Sequence, residues 1–185
     1  MDKRIINISI RGRIAYLIMC FERYVVIKYP ERDWTAVDDM MWKICDASDS
    51  IDNSAYRYME IIPEYLYEFG SFEESDFDYL SNEEYEIFKA IIPKDDSDLN
   101  TIMHGIYSVA MEYAYTGIPK GAPDTIPYIQ ETEHIMVKNH IELPCVSNIK
   151  HLTDEQDWWG DQFDGRYLSI IHDSKISLPA HSVLN

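Results

Sequence analysis

The chain is poor in bases. Sixteen Lys and Arg stand against 33 Asp and Glu in 185 residues, a formal net charge of −17 at pH 7. Phosphate backbones are gripped through basic faces, so the deficit argues against a nucleic-acid partner and against docking on anionic membranes. It leaves two uses for the charge: a basic protein partner, or solubility through self-repulsion. Cysteine is scarce too. Cys20, Cys45 and Cys145 are odd in number and share no CxxC or Cys/His spacing. That pattern predicts neither a disulfide framework nor a structural zinc site, and it fits a reduced, cytoplasmic chain. The seven glycines are scattered and build no phosphate-cradling loop. The apolar run Ile14–Phe21 is eight residues long, is followed at once by Glu22 and Arg23, and has no small-residue cleavage site. It is too short to span a bilayer and lacks the form of a leader.

What is present is a core. An apolar fraction of 46% with Tyr 14 and Trp 4 argues against disorder, and 185 residues predict one domain. The expected architecture is mainly α, a bundle of five to six helices with a small C-terminal β-hairpin or strand. Residues 8–28 read as a long helix apolar nearly all round, hence the central element. Its bases Arg11, Arg13, Arg23 and Lys28 are expected to pair with the acidic middle of the chain. Asp33 caps a second helix over 34–46, with Trp34, Val37, Met41 and Ile44 on one stripe. Residues 47–54 read as a connection.

From Ala55 a helical phase runs through Tyr58, Ile61, Ile62, Tyr65, Leu66 and Phe69. At about 100° per residue, Glu60, Glu64 and Glu68 form one exposed acidic row roughly 130° round from that stripe. Pro63 either kinks this helix or restarts it. Ser71-Phe-Glu-Glu74 and Ser81-Asn-Glu-Glu84 both fit a capping box, the second followed by Tyr85, Phe88 and Ile92 at helical spacing. An amphipathic helix is predicted over 98–116 with Gly117 as its left-handed cap, and another over 125–140 with Pro127 in its first turn. Asp164-Gly165, between short apolar runs, predicts a hairpin over 158–171.

Chemistry-bearing motifs are few. Asp96-Ser-Asp-Leu-Asn100 opens like a calcium loop, but Thr101 and Tyr107 fall where Gly and a bidentate Glu belong, so a helix cap is the reading. His134 and His140, six apart, point to opposite helix faces, which predicts no metal site. Cys145 near His140 and His151 lacks any nucleophile signature or orienting residue. A carboxylate pair is defined by separation in space rather than by sequence. No catalytic residue, cofactor or metal is therefore predicted. The conspicuous feature is the acidic stretch itself, with thirteen Asp or Glu and two bases between Glu60 and Asp98. The candidate partner-binding residues are Glu60, Glu64, Glu68, Glu73, Glu74, Asp76 and Asp78. Tyr67, Phe72, Phe77 and Tyr79 are interleaved as anchors, while carboxylates supply steering.

Asp33-Trp34 through Met41-Trp42, Met59-Glu-Ile-Ile-Pro-Glu-Tyr-Leu-Tyr-Glu-Phe69 and Trp159-Gly-Asp-Gln-Phe-Asp-Gly165 together resemble small acidic bacterial immunity proteins of polymorphic or contact-dependent toxin systems. The resemblance implies a cytoplasmic, mostly helical, non-enzymatic protein that binds and neutralises a cognate basic toxin domain. Two other functions stand beside it. One is a small enzyme with a carboxylate- or Cys145-centred pocket. The other is an accessory or scaffold protein whose acidity serves solubility alone.

Overall fold

The computed structural model describes residues 3–46, 51–153 and 158–172. In chain order its helices are α1 (Ile10–Lys28), α2 (Thr35–Asp46), α3 (Ile51–Met59), α4 (Pro63–Leu66), α5 (Asn82–Ile91), α6 (Ser97–Met111) and α7 (Ile126–Lys138). The mainly helical expectation holds, with seven α-helices and no strand among the described residues. α1 is the central element: 15 of its 19 residues are buried, and α2, α6 and α7 pack directly on it. α3 bridges α2 and α6. Cys20 and Cys45 lie in this core as free thiols, and burial pushes Cys45 up to about 12.

Local signals account for most of the helix ends. Asp33 accepts the Thr35 amide at 3.0 Å just ahead of α2. Ser81 and Glu84 exchange both bonds of a capping box at the start of α5. Asp96 caps α6 by accepting from the Leu99 amide, and it also receives the Tyr24 and Tyr29 hydroxyls. α6 stops at Met111 rather than at 116. Tyr113, just beyond it, instead exchanges hydrogen bonds with Asp124 across the next loop. Gly117 is therefore not its left-handed cap. α7 ends in a Schellman closure, with Ile141 N–H donating to Met136 O, His140 N–H to Val137 O, and His140 itself at φ 57°. Part of the stretch read as a connection, from Ile51 onward, is already α3.

Because α1 is buried on every side, its polar groups must be answered by other segments. Ser9 accepts the Gly12 amide, and the two preceding amides, Ile10 and Arg11, donate to the carbonyls of Trp158 and Trp159 at 2.8 and 3.0 Å. These are the orphan donors of a helix start. The Arg11 guanidinium donates to the Ile44 and Cys45 carbonyls at the end of α2. Arg13, 0% exposed, donates to the carbonyls of Ile6, Gly121 and Ala122 and to the Thr125 hydroxyl. Burial draws it down to about 10. The expectation that these two bases pair with the acidic middle is corrected, since Arg11 Nη1 and both Nη atoms of Arg13 donate to carbonyl oxygens outside that stretch.

At the other end of α1, Glu22 accepts from the Trp42 indole and the Ile170 amide, both at 3.0 Å. Asp38 lies beside it, also 0% exposed, and accepts the Ser169 hydroxyl at 2.9 Å. Burial, with the Glu22 carboxylate next to it, pushes the Asp38 carboxyl up to about 9.

The hairpin expected over 158–171 does not form. The carbonyls of Trp158 and Trp159 are spent on the start of α1, and Phe163 N–H donates to Cys45 O. Asp164 caps a short 3₁₀ turn, Gly165–Leu168, through the Arg166 amide. Gly165 lies against the Trp42 ring, where a Cβ would stand 1.9 Å from Cε3. Asp-Gly serves close packing here rather than a two-residue turn.

Two measurements follow from this packing. The folded chain keeps a proton on Asp38 that the unfolded chain releases above the ordinary carboxylate range, so rising pH favours unfolding until about 9. The thermal midpoint is expected to fall between about pH 6 and about 9, and Asp38→Asn to flatten that fall; an equal slope in the variant would assign it to other groups. Gly160 has φ +80°, and a Cβ there would stand 2.3 Å from Ser9 Oγ, whereas Gly117 has nothing within 4 Å. Gly160→Ala should cost about 2 kcal/mol in urea denaturation through strain and a disturbed cap, with Gly117→Ala near neutral.

Candidate functional site

The acidic stretch begins where α3 fails. Proline disfavours helical geometry in the residue before it, and Ile62 takes φ −63°, ψ 135° ahead of Pro63. The helix restarts as the single turn α4, the restart that Pro63 allowed for. This break dissolves the continuous row Glu60, Glu64, Glu68. Glu60 is 5% exposed, and its carboxylate accepts the amides of Asp78, Tyr79 and Leu80 at 2.7, 3.1 and 2.8 Å. Glu60 is thus corrected from a surface recognition group to an internal anchor of the 76–80 loop.

The other six candidates, Glu64, Glu68, Glu73, Glu74, Asp76 and Asp78, are exposed. Glu64 sits on α4, whose amide at that position donates to Asn100 Oδ1 at 3.1 Å. The rest follow on the chain that wraps from α4 to α5. Glu73's own amide, and after it the Ser71 hydroxyl, hold the Glu73 carboxyl below its ordinary range. Glu84 works as the cap expected of it, kept below its ordinary range chiefly by the Ser81 amide, and it pairs with Arg57.

Aromatic residues carry this wrapping segment. Phe77 meets Phe69, Phe72 and Tyr85 at centroid distances of 6.4, 6.4 and 5.7 Å. Tyr67 is engaged internally: its hydroxyl donates to Lys89 O and Ile92 O, and Lys89 and Lys94 lie over its ring. Phe72 and Phe77 are half-buried, which leaves Tyr79, at 38% exposure, as the exposed member of the four expected anchors.

Three hollows flank α4. One of about 390 Å³ is walled by Tyr56, Met59, Tyr65, Phe69, Phe77 and Tyr79, with Glu60, Glu68, Asp76 and Asp78 among its lining. A second, of about 410 Å³, lies between Pro63, Glu64 and Tyr67 on one side and Lys94, Asp95, Asp96, Ser97 and Asn100 on the other. A third, of about 290 Å³, is lined by Glu64, Asn100, Thr101, His104, Gly105, Tyr128 and Glu131. Tyr65 and Phe69, expected to serve the core alone, also line the first hollow. The break at Pro63 is the signal in the sequence that could have placed them there.

The other chemistry-bearing residues are dispersed. Cys145 is exposed, with its sulfur 2.8 Å from the Ser147 hydroxyl. His151 pairs with the Tyr167 hydroxyl at 3.0 Å, and His140 is exposed beyond α7. None of these lines any of the three hollows. Among the described residues no group of three or more His, Cys, Asp or Glu is placed to hold a metal ion, and no helix is long and apolar enough to cross a membrane. Glu22 and Asp38, which the sequence could not bring together, form a close carboxyl pair, and both are 0% exposed.

No protein-family model matches this chain, and no curated protein or solved structure matches it.

The anchoring role of Glu60 predicts a local effect. Glu60→Ala removes the acceptor of three backbone amides and should cost about 3 kcal/mol at roughly 1 kcal/mol per bond. Amide hydrogen exchange should accelerate at residues 78–80 before it does in α1. Unchanged exchange there would mean that the loop is held by its aromatic contacts alone.

Proposed function

We propose that this chain is a non-enzymatic binding protein of the immunity type, which covers a basic surface of a cognate toxin domain. The observation that carries the reading is the set of six exposed carboxylates, Glu64, Glu68, Glu73, Glu74, Asp76 and Asp78, the last of them on a loop whose backbone the buried Glu60 carboxylate holds in place. A charged surface on a fixed backbone steers a basic partner and avoids the ordering cost that a flexible acidic tail would meet. The exposed Tyr79 ring among these charges supplies an apolar contact of the kind on which interfaces anchor. The three free cysteines fit action in the cytoplasm, where such a toxin would have to be met.

The test is calorimetric titration of the full chain with the toxin domains encoded beside its gene, at low ionic strength. Glu64→Lys combined with Glu68→Lys should weaken a complex at least about tenfold and reduce its salt dependence. An affinity unaffected by the reversal would remove this face from the interface. Failure of every adjacent toxin domain to bind would overturn the immunity reading.

A further inference from the structure

The hollow between α3, α4 and the 76–80 loop has a composition unlike a plain solvated acidic face. Tyr65, Phe69, Phe77 and Tyr79 give it aromatic walls, Glu68, Asp76 and Asp78 give it charge, and among the described residues no Lys or Arg lines it. No base of this chain pairs with those three carboxylates among the described residues. Its volume of about 390 Å³ lies within the roughly 300–1,000 Å³ of sites that enclose a ligand, and is enough for a long side chain with part of its neighbour.

On its inner side the same aromatic cluster already holds a cation. Lys89 Nζ stands 4.6 Å from the Tyr85 ring centroid, and Tyr85 in turn meets Phe77 at 5.7 Å. Elsewhere the Arg32 guanidinium lies 4.8 Å from the Tyr29 ring. The outer side, at Phe77 and Tyr79, has aromatic rings and carboxylates but, among the described residues, no cation from this chain.

We propose that this groove seats an arginine side chain of the basic partner, its guanidinium stacked on the aromatic wall and its charge met by Glu68, Asp76 and Asp78. The proposal rests on the protein-binding reading above and names where that partner is gripped. Arginine fits better than lysine because a planar guanidinium stacks on rings, forks onto carboxylates and gives up its hydration more readily than an ammonium. The groove is preformed. Glu60 fixes the backbone of Asp78, Tyr79 and Leu80 from beneath, so little ordering remains to be done on binding.

The experiment is an NMR titration of the isotope-labelled full chain at low salt with N-acetyl-arginine amide, N-acetyl-lysine amide and the uncharged N-acetyl-citrulline amide. The arginine amide should give saturable shifts at Tyr65, Phe69, Phe77 and Tyr79, the lysine amide weaker ones, and the citrulline amide none. Tyr79→Ser, at a part-exposed ring outside the core, should weaken arginine-amide binding roughly fivefold through the lost cation–π contact. Asp76→Asn with Asp78→Asn, which alters only exposed carboxylates, should weaken it at least as much. Shifts spread evenly over Glu73, Glu74 and Glu83, or equal saturation by the lysine amide, would overturn the assignment. Toxin binding separates the two ideas. A toxin that binds with an affinity unchanged by the groove variants removes the groove and leaves the immunity reading. An arginine amide that saturates the groove while no toxin binds does the reverse.

Discussion

A helix buried on all sides cannot leave a polar group to water, and α1 carries several. Arg11, Arg13 and Glu22 lie within its buried span, and its first amides open toward the interior. An unanswered buried charge or donor costs several kcal/mol, on the order of a small domain's whole stability. The remainder of the fold is arranged to supply the answers: the end of α2 for Arg11, the 121–125 loop for Arg13, Trp42 and Ile170 for Glu22. The short segments between helices are therefore placed by hydrogen-bond accounting as much as by apolar contact.

The same logic divides the carboxylates, which in the sequence look alike. Glu22, Asp38, Glu60 and Glu133 are buried, and Asp96 gathers two tyrosine hydroxyls and a helix amide. These acids hold the fold. The exposed set from Glu64 to Asp78 faces solvent, with Glu73 making only local bonds to its own amide and to Ser71. Glu60 joins the two groups, because a buried carboxylate fixes the backbone of residues 78–80, where the exposed Asp78 is carried.

What was legible in the sequence was what local chemistry decides. α1, α2, the capping box at Ser81 and Glu84, the Asp96 cap and Pro127 at the start of α7 are all set within a few residues. Legibility failed where the partner is distant. Nothing near Asp38 marks it as an acid that will be buried against Ser169, 131 positions away. Asp164-Gly165 carries a hairpin signal, yet the Trp42 ring and the open start of α1 claim that segment first. At the candidate site, the exposure of Glu64, Glu68 and the acids of the 73–78 segment could be read from pattern. The burial of Glu60 could not, because periodicity was carried across a break whose geometry Pro63 imposes.

The closure of α1 by Trp158, Trp159 and Ile170 also orders events in time. A ribosome makes α1 early, and the Ile170 amide that meets Glu22 emerges 148 residues later. At about 5–20 residues per second, that interval is roughly 7–30 s. Throughout it, the central helix of the fold has both ends open, with Glu22 and the first-turn amides facing partners not yet synthesised. The core around α1 thus closes only once residue 170 has emerged, and until then nascent α1 is the segment a chaperone would have to shield.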